Sequence, residues 1–186
     1  EGPVPGGRAA TSASEERASR PPRLVATDLD GTLVRSDGSV SDYTREVLLE
    51  VERQGVPVVF VTGRPLRWAR DVFDHVGSHG LAVISNGAAV WDVAADSARL
   101  ERPIEVGVGR EFARLLREAV PGTSYAVETR AGIELEPEFM ERFPVPDVAR
   151  RAHVDELLTG GAWKLLARHE ELGPQEFWDR AEAATG

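Results

Sequence analysis

Three short apolar runs in the first half of the chain each end at a cluster of polar residues. The runs occupy residues 24–27, 56–61 and 81–84, and the clusters begin at Asp28, Thr62 and Ser85. Because the apolar residues are continuous and do not alternate with polar ones, the runs predict strands of a parallel sheet covered on both faces. The carboxyl ends of such strands meet at one edge of the sheet, which is where open α/β sheets bind ligands.

Each segment between these runs has the pattern of an amphipathic helix. Ser41 is a candidate N-cap for the first helix, and Gly55 suits its end. The apolar face of this helix is predicted to hold Tyr43, Val47, Leu48 and Val51. The second helix, over residues 65–75, begins at a proline, and its sheet-facing side chains are predicted to be Trp68, Val72 and Phe73.

After about residue 103 the pattern changes to a mixture of helices and strands. A helix over residues 110–119 is predicted to bury Phe112, Leu115 and Leu116. Strands are predicted over residues 124–128, 132–136 and 163–167, with a turn at 130–131, and a last helix over 175–184. This part of the chain therefore predicts a second unit of the α+β class.

The pattern divides the chain into three parts. Residues 1–22 are rich in Gly, Pro, Ser, Ala and Arg with almost no large apolar side chains, which predicts a disordered tail. Residues 23–103 predict an α/β unit, a partial Rossmann-like core with a parallel sheet. A flap over residues 32–40 turns at Asp37-Gly38. Residues 104–186 predict an incomplete α+β domain.

The composition narrows the function without identifying it. A net charge of −9 disfavours a general nucleic-acid binder, which carries a basic surface. The absence of cysteine excludes disulfides, thiolate metal sites and cysteine nucleophiles. No apolar run reaches the roughly 18 residues of a membrane span, and the N-terminus lacks the apolar core of a signal peptide. We therefore expect a cytoplasmic enzyme without nucleic-acid or membrane partners, and its oligomeric state stays open.

The segment Asp28-Leu29-Asp30-Gly31-Thr32 carries the strongest chemical signal. One carboxylate can attack phosphorus and hold the phosphoryl group as an aspartyl phosphate, while a second protonates the leaving oxygen. Mg²⁺ prefers oxygen ligands, and backbone N–H groups after the strand, from Leu29 onward, can bind phosphate oxygens. An EF-hand calcium loop does not match, because Leu33 stands where that loop needs glycine. A solvated turn remains the alternative for this segment taken by itself.

Taken together, the three clusters resemble those of haloacid dehalogenase-like (HAD) phosphatases. Asp28-Leu29-Asp30-Gly31-Thr32 is similar to the first motif of that superfamily, and Val61-Thr62-Gly63-Arg64-Pro65 is similar to the second. Ile84-Ser85-Asn86-Gly87-Ala88 is typical of the Cof-type branch, in which an αβ cap of the C2 type is inserted after the third strand. The resemblance extends from about residue 23 to the end, so it implies that residues 104–186 are the cap.

The resemblance implies roles for the residues of the first two motifs. Asp28 would be the nucleophile and a magnesium ligand. Asp30 would be the general acid and base, and its backbone carbonyl would also bind the magnesium ion. The Thr62 hydroxyl and the Gly63 amide would bind the transferring phosphate, next to the Leu29 amide.

Roles are also assigned to three further residues, and two of these residues have an alternative role. Arg64 would contact the substrate phosphate or help hold the cap, and a surface salt bridge is the alternative. Asn86 would line the substrate pocket, and a turn residue is the alternative. Lys164 is the only lysine of the chain and lies in an apolar strand. We interpret it as a cap residue whose ammonium lies at the surface.

Two motifs that the resemblance requires are absent from this sequence. They are a lysine of the core and a Gly-Asp type loop that supplies a further magnesium carboxylate. Asp92 and Asp96 have acidic spacing but follow the third strand directly, and we interpret them as parts of a hairpin turn. We therefore expect a C-terminally truncated sequence that hydrolyses phosphate esters poorly by itself.

The function implied by the resemblance is that of a magnesium-dependent phosphatase. It would hydrolyse a small phosphorylated metabolite, of the sugar phosphate type, through an aspartyl phosphate. A phosphomutase of the same superfamily would keep Asp28 and Asp30, so this alternative stays open. A non-catalytic module that binds phosphorylated metabolites is a third possibility, which the missing motifs favour for this chain.

Overall fold

The computed structural model describes residues 22–76 and 80–186, with side chains for all of these except 74–76. The strands are β1 (Val25–Asp28), β2 (Val58–Val61), β3 (Leu81–Ile84), β4 (Ala89–Asp92), β5 (Ser97–Glu101), β6 (Ser124–Thr129), β7 (Gly132–Leu135) and β8 (Lys164–Arg168). The helices are α1 (Asp42–Arg53), α2 (Leu66–Val76), α3 (Val106–Ala119), α4 (Val154–Leu157) and α5 (Pro174–Thr185). The tail predicted over residues 1–22 lies outside the described residues, apart from Pro22.

The predicted α/β core is confirmed as a mixed sheet with the strand order β1-β2-β3-β4-β5. The first three strands are parallel, and their register pairs Asp28 with Val61 and Val61 with Val83. β4 and β5, which the sequence analysis did not identify as strands, extend the sheet as an antiparallel hairpin. The parallel register brings the carboxyl ends of the first three strands to one edge.

Only one face of the parallel strands is well covered within the described residues. Phe60, Ala82 and Ile84 point to this face and belong to one buried cluster with side chains of α1 and α2. On the opposite face Ala26 is exposed, and the side chain of Val61 is 42% exposed. The prediction of a sheet covered on both faces is therefore wrong for this part of the chain. The reason is that α1 and α2 contact each other and pack on the same side.

The caps predicted for α1 are both present. The Ser41 hydroxyl accepts a 3.1 Å hydrogen bond from an N–H of the first turn, and Gly55 has a positive φ of 75° after the last turn. The predicted apolar face is only partly right, because Leu48 is buried but Tyr43 and Val47 are 75% and 41% exposed. Tyr43 and Val47 are one turn apart, on a side of α1 that no described element covers.

The second half of the chain forms an antiparallel sheet in the order β7-β6-β8, with α3 and α5 in contact beside it. The predicted α+β character is therefore correct, while the domain boundary at residue 103 stays a prediction. The predicted burial on α3 is wrong for two side chains, because Phe112 and Leu115 are 38% and 37% exposed. The buried side of α3 is formed by Gly109, Ala113 and Leu116.

Two predicted turns are confirmed. In the flap, Gly38 has a φ of 83°, and the Asp37 carboxylate accepts a 2.9 Å hydrogen bond from the N–H of Ser39. Between β4 and β5, Asp92 Oδ1 accepts a hydrogen bond from a turn N–H, and its Oδ2 forms an ion pair of 2.6 Å with Arg99. Asp92 is thus a turn residue, as interpreted from the sequence.

The helices of residues 22–76 and 80–186 are too short or too polar for any of them to cross a membrane.

Candidate functional site

Asp28 ends β1 with an exposed carboxylate. Its Oδ1 accepts a 2.7 Å hydrogen bond from the N–H of Leu29, and it forms no ion pair with any residue that the structure describes. The side chain of Leu29 is fully buried in the core. Leu29 therefore anchors the end of β1 while its N–H orients the Asp28 carboxylate. The phosphate contact predicted for this N–H stays a prediction.

Asp30 and Arg64 form an ion pair at the same sheet edge. Arg64 Nε lies 3.1 and 3.0 Å from the two carboxylate oxygens of Asp30, and Nη2 lies 2.5 Å from Oδ1. These hydrogen bonds hold the pKa of the Asp30 carboxyl below its usual value, and the Thr62 hydroxyl adds a smaller effect in the same direction. The salt bridge considered for Arg64 thus exists, and its partner is the predicted acid/base residue.

Replacing Arg64 with Gln is expected to raise the pKa of Asp30. The change removes the positive charge and the forked hydrogen bonds that favour the ionised carboxylate. The measurement is a carbon-13 NMR titration of the Asp30 carboxyl in the wild type and the variant. Arg35→Gln, which removes the same charge from the exposed flap, is the control. An Asp30 pKa that is the same in all three proteins would show that Arg64 does not set its protonation.

The second cluster, Thr62-Gly63-Arg64, forms a tight loop after β2. Thr62 is buried, and its hydroxyl accepts a 3.1 Å hydrogen bond from the N–H of Arg64. Gly63 is exposed, and a Cβ at this position would lie 2.5 Å from Oδ1 of Asn86. A larger residue at this position would therefore require the Asn86 side chain to move. The close approach also places Asn86 directly beside the loop that is predicted to bind phosphate.

The third cluster curls at the end of β3 through residues with positive φ. Ser85, Asn86 and Gly87 have φ values of 52°, 58° and 98°, which is uncommon for the two residues that are not glycine. The Asn86 N–H donates to the carbonyl of Thr62 at 3.4 Å, and the Ser85 N–H donates to that of Arg64 at 2.9 Å. The curl is therefore tied to the second cluster. Backbone strain of this kind is concentrated at functional sites.

The ammonium of Lys164 lies at this site, which corrects the interpretation that placed it at the surface of the cap. Lys164 Nζ donates a 2.8 Å hydrogen bond to the carbonyl oxygen of Gly63. Burial lowers the pKa of Lys164, and the carboxylate of Glu128 opposes this shift. Strand β8 therefore brings a cationic side chain from the second half of the chain onto the predicted phosphate loop. The sequence analysis did not foresee this contact.

A second ionic contact joins the two halves of the chain. Arg67, in the first turn of α2, donates from Nε and Nη2 to Oε1 of Glu128 at 3.0 and 2.8 Å. Glu128 lies on β6 and is buried, and its Oε2 has no hydrogen-bond partner among the described residues. Burial raises the pKa of Glu128, and Arg67 opposes that shift. Trp68, which was predicted to face the sheet, instead meets Phe143 edge to face with ring centroids 5.0 Å apart.

The residues at the end of β1 meet part of what a magnesium ion needs. Mg²⁺ is commonly held by one or two carboxylates together with waters and substrate phosphate. Asp28 offers a carboxylate without an ion pair in the described part of the chain, whereas the Asp30 carboxylate is engaged by Arg64. Within residues 22–76 and 80–186, no group of three or more His, Cys, Asp or Glu is placed to hold a metal. Among the described residues at the end of β1, the Asp28 carboxylate is therefore chemically suited to Mg²⁺, and the Asp30 carbonyl stays a predicted ligand.

Known proteins with similar sequences include two phosphatases. A 5-amino-6-(5-phospho-D-ribitylamino)uracil phosphatase of Bacillus subtilis is 36% identical over 70 residues, which cover 38% of this chain and 28% of that protein. An HMP-PP phosphatase of Serratia proteamaculans is 27% identical over 132 residues, which cover 70% of this chain and 44% of that protein. The chain therefore spans less than half the length of these curated relatives.

A comparison with solved structures and a match to a family model both agree with the sequence relatives. A phosphatase of the haloalkanoate enzyme superfamily from Bacteroides thetaiotaomicron superposes with a TM-score of 0.65 over 88% of this chain and 61% of its own. At 18% identity this likeness shows the fold alone. The model of haloacid dehalogenase-like hydrolases matches residues 25–145, which include all three polar clusters and more than half of the chain. The chain therefore belongs to the family of haloacid dehalogenase-like hydrolases.

Proposed function

We propose that this protein is a magnesium-dependent phosphatase in which Asp28 is the nucleophile. The observation that carries the proposal is the end of β1, where an exposed carboxylate without an ion pair in the described chain precedes Asp30 by two residues. The loop of Thr62 and Gly63 lies at the same sheet edge. The names of the two phosphatase relatives support the same class of reaction.

In the proposed reaction, an Asp28 oxygen attacks the phosphorus of a phosphate monoester, and the bond from phosphorus to the leaving oxygen breaks. Asp30 gives its proton to that oxygen, so an alcohol departs and Asp28 carries an aspartyl phosphate. Asp30 then takes a proton from a water molecule that attacks the phosphorus, which releases phosphate and restores Asp28. The Thr62 hydroxyl and the Leu29 and Gly63 amides would hold the phosphoryl oxygens.

Magnesium would be held by the Asp28 carboxylate and by the backbone carbonyl of Asp30. A bound magnesium ion supplies positive charge that offsets the repulsion between the attacking carboxylate and the phosphate. The carboxylate of Asp28 is oriented by the N–H of Leu29 before any substrate arrives. The chain itself thus contributes the nucleophile, the acid and the phosphate-binding amides.

Arg64 would control the protonation of Asp30. While it is paired with Arg64, Asp30 has a lowered pKa and is ionised at neutral pH, so it lacks the proton that the first step requires. A substrate phosphate that draws the Arg64 guanidinium toward itself would weaken the pair, and the negative charge of the phosphate beside Asp30 would raise the pKa of that carboxyl further. Contact with the substrate phosphate is one of the two roles that the resemblance implies for Arg64, and holding the cap is the other.

The proposed substrate is a small phosphorylated metabolite of the sugar phosphate type, hydrolysed in the cytoplasm. Lys164 and Glu128 bring the second sheet next to the site, and an open pocket of about 400 Å³ beside Lys164 is of a size for a small molecule. The test is phosphate release by the native gene product from a panel of sugar phosphates, with magnesium or with EDTA. We expect magnesium-dependent release of phosphate, whereas formation of an isomeric sugar phosphate would identify a phosphomutase.

The chain of 186 residues is expected to release phosphate poorly or not at all, although Asp28 and Asp30 are present. Without the further cation and carboxylate, the charge of the transferring phosphoryl group is incompletely balanced. The measurement compares phosphate release by this chain and by the native gene product in one assay. Turnover by the chain at ordinary enzyme rates of roughly 1–10³ s⁻¹ would refute this expectation.

A further inference from the structure

An open pocket of about 400 Å³ lies between the curl after β3 and the start of β8. Its wall is formed by Ser85, Asn86, Gly87, Ala88, Arg102, Ile104, Trp163, Lys164 and Leu165. The pocket adjoins the predicted phosphate loop, because Asn86 Oδ1 lies against Gly63 and the Lys164 ammonium donates to the Gly63 carbonyl. A monoester with its phosphate at Asp28 and Gly63 would therefore extend its leaving group toward this pocket.

The pocket wall carries two cations and no carboxylate. Arg102 has no ion pair and no side-chain hydrogen bond within residues 22–76 and 80–186. It is fixed through its backbone, whose N–H donates to the carbonyl of Ala88 at 2.7 Å. Lys164 uses one ammonium proton for Gly63 and retains two others. An unpaired guanidinium and a partly free ammonium on one wall give the pocket a positive field that favours an anion.

A buried hydroxyl in the same wall also lacks a partner. Ser85 is 2% exposed, and its Oγ makes no hydrogen bond to any residue that the structure describes. Buried polar atoms in native proteins are nearly always satisfied, so an unsatisfied one calls for a specific explanation. The backbone of Ser85 has a positive φ of 52°, a conformation that costs free energy for a residue other than glycine.

We propose that the substrate carries a second anionic group on its leaving group, and that Arg102 and Lys164 bind this group in the pocket. The second group is a carboxylate or a second phosphate, which present the same oxygens to the two cations. The proposal rests on the proposed function, because the pocket receives the leaving group only if the transferring phosphate lies at Asp28. Arg102 and Lys164 are then specificity residues, and neither is required for the chemical step.

The test measures ligand binding by calorimetry in the presence of magnesium, so it does not depend on turnover. Two matched pairs are used, fructose 1,6-bisphosphate with fructose 6-phosphate, and 3-phosphoglycerate with glycerol 3-phosphate. In each pair the members differ only in the second anionic group. We expect the two-anion member of at least one pair to bind about tenfold more tightly, which corresponds to about 1.4 kcal/mol. The pair that shows the preference identifies the second group as phosphate or carboxylate.

The variant Arg102→Gln is expected to reduce this preference severalfold without weakening the one-anion member, and Lys164→Gln is expected to reduce the preference severalfold as well. Lys164→Arg, which keeps a cation, should retain the preference. Arg53→Gln is the matched control, because it removes the same charge from the exposed last turn of α1. Thermal unfolding of every variant verifies that it is folded before the affinities are compared.

Equal affinities within both pairs in the wild type, or a preference that survives in both Gln variants, would overturn this proposal and leave the proposed function intact. A Lys164→Gln variant that weakens both members of a pair equally would assign Lys164 to fastening the two sheets and overturn its part in the proposal. If all four ligands and beryllofluoride with magnesium fail to bind, the proposed function is contradicted and this proposal falls with it.

Discussion

Replacing Asp28 with Asn is expected to abolish the stabilisation of this chain by magnesium and beryllofluoride. Beryllofluoride mimics a phosphoryl group by bonding to a carboxylate oxygen, and a neutral amide does not form that bond. A ligand at about 100 times its Kd stabilises the folded state by about 2.7 kcal/mol. For a chain of this size, this raises Tm by roughly 5–10 °C. The measurement is thermal unfolding of the wild type and the variant, with and without the two ligands.

Asp147→Asn is the matched control, because Asp147 is an exposed aspartate on the loop after β7. This variant should keep the full increase in Tm. Omission of magnesium should remove the increase from the wild type as well, because the charge of the mimic is then uncompensated. An Asp28→Asn variant that is stabilised as much as the wild type would exclude Asp28 as the nucleophile.

Replacing Arg67 with Ala is expected to lower the free energy of unfolding by about 3 kcal/mol. The side chains of Arg67 and Glu128 are only 15% and 3% exposed, and the change leaves the Glu128 carboxylate buried without its partner. Oε2 of Glu128 already lacks a hydrogen-bond partner among the described residues, so after the change the ammonium of Lys164, on the neighbouring strand, is the positive charge that still acts on this carboxylate. The measurement is urea unfolding at neutral pH.

The pH dependence of the stability lost in the Arg67→Ala variant gives a sharper test. Burial raises the pKa of Glu128 and Arg67 opposes that rise, so the pKa rises further in the Arg67→Ala variant. A carboxyl whose folded pKa lies above its unfolded value loses stability as the pH rises through the folded pKa. The deficit of the variant should therefore be smaller at pH 5, where more of Glu128 is protonated, than at pH 8.

Two controls separate the buried pair from surface charge. Arg114→Ala removes an exposed arginine that pairs with Glu111 and Glu118, and it is expected to change stability little. In the double variant Arg67→Ala with Glu128→Ala, the loss should be smaller than the sum of the two single losses, because no unpaired charge remains. Equal losses for Arg67→Ala and Arg114→Ala would show that the Arg67–Glu128 contact does not join the two sheets.

The features that the sequence predicted correctly are determined by residues that lie close together in the chain. The order of β1, β2 and β3 follows from continuous apolar runs, and the end of each run places Asp28, Thr62 and Asn86 at one sheet edge. The caps at Ser41 and Gly55 follow from short-range hydrogen bonding and backbone conformation. Such features depend on a few neighbouring residues, so a single sequence is enough to predict them.

The features that the sequence did not predict depend on contacts between distant parts of the chain. Lys164 meets Gly63 and Arg67 meets Glu128 only because β6 and β8 lie against the core. No residue near Lys164 in the sequence indicates its contact with Gly63. Lys164 lies opposite Glu128 on the neighbouring strand, so knowledge of how β6 pairs with β8 would have indicated that Lys164 lies near the site. Residues that belong to the site by tertiary contact are therefore harder to predict than those that follow a strand.

The buried side of α3 shows a different source of error. Apolar periodicity favoured Phe112 and Leu115 beside Leu116, but the helix turns Gly109 and Ala113 inward together with Leu116. A Cβ at Gly109 would lie 3.2 Å from the Leu158 side chain, so even an alanine there would require Leu158 to shift by a few tenths of an ångström. Hydropathy scales rank residues by the free energy of their transfer out of water. A close contact between a helix and its neighbours instead favours side chains of small volume. Phe112 and Leu115 therefore remain partly exposed.

The nucleophilic role of Asp28 is tested most directly by a crystal structure of this chain with magnesium and beryllofluoride. The account predicts beryllium bonded to a carboxylate oxygen of Asp28, with fluorine atoms near the amides of Leu29 and Gly63. It also predicts that Arg64 moves from Asp30 toward the bound mimic. Beryllium bonded to a different carboxylate, or a crystal saturated with both ligands in which Asp28 is unmodified, would contradict the account.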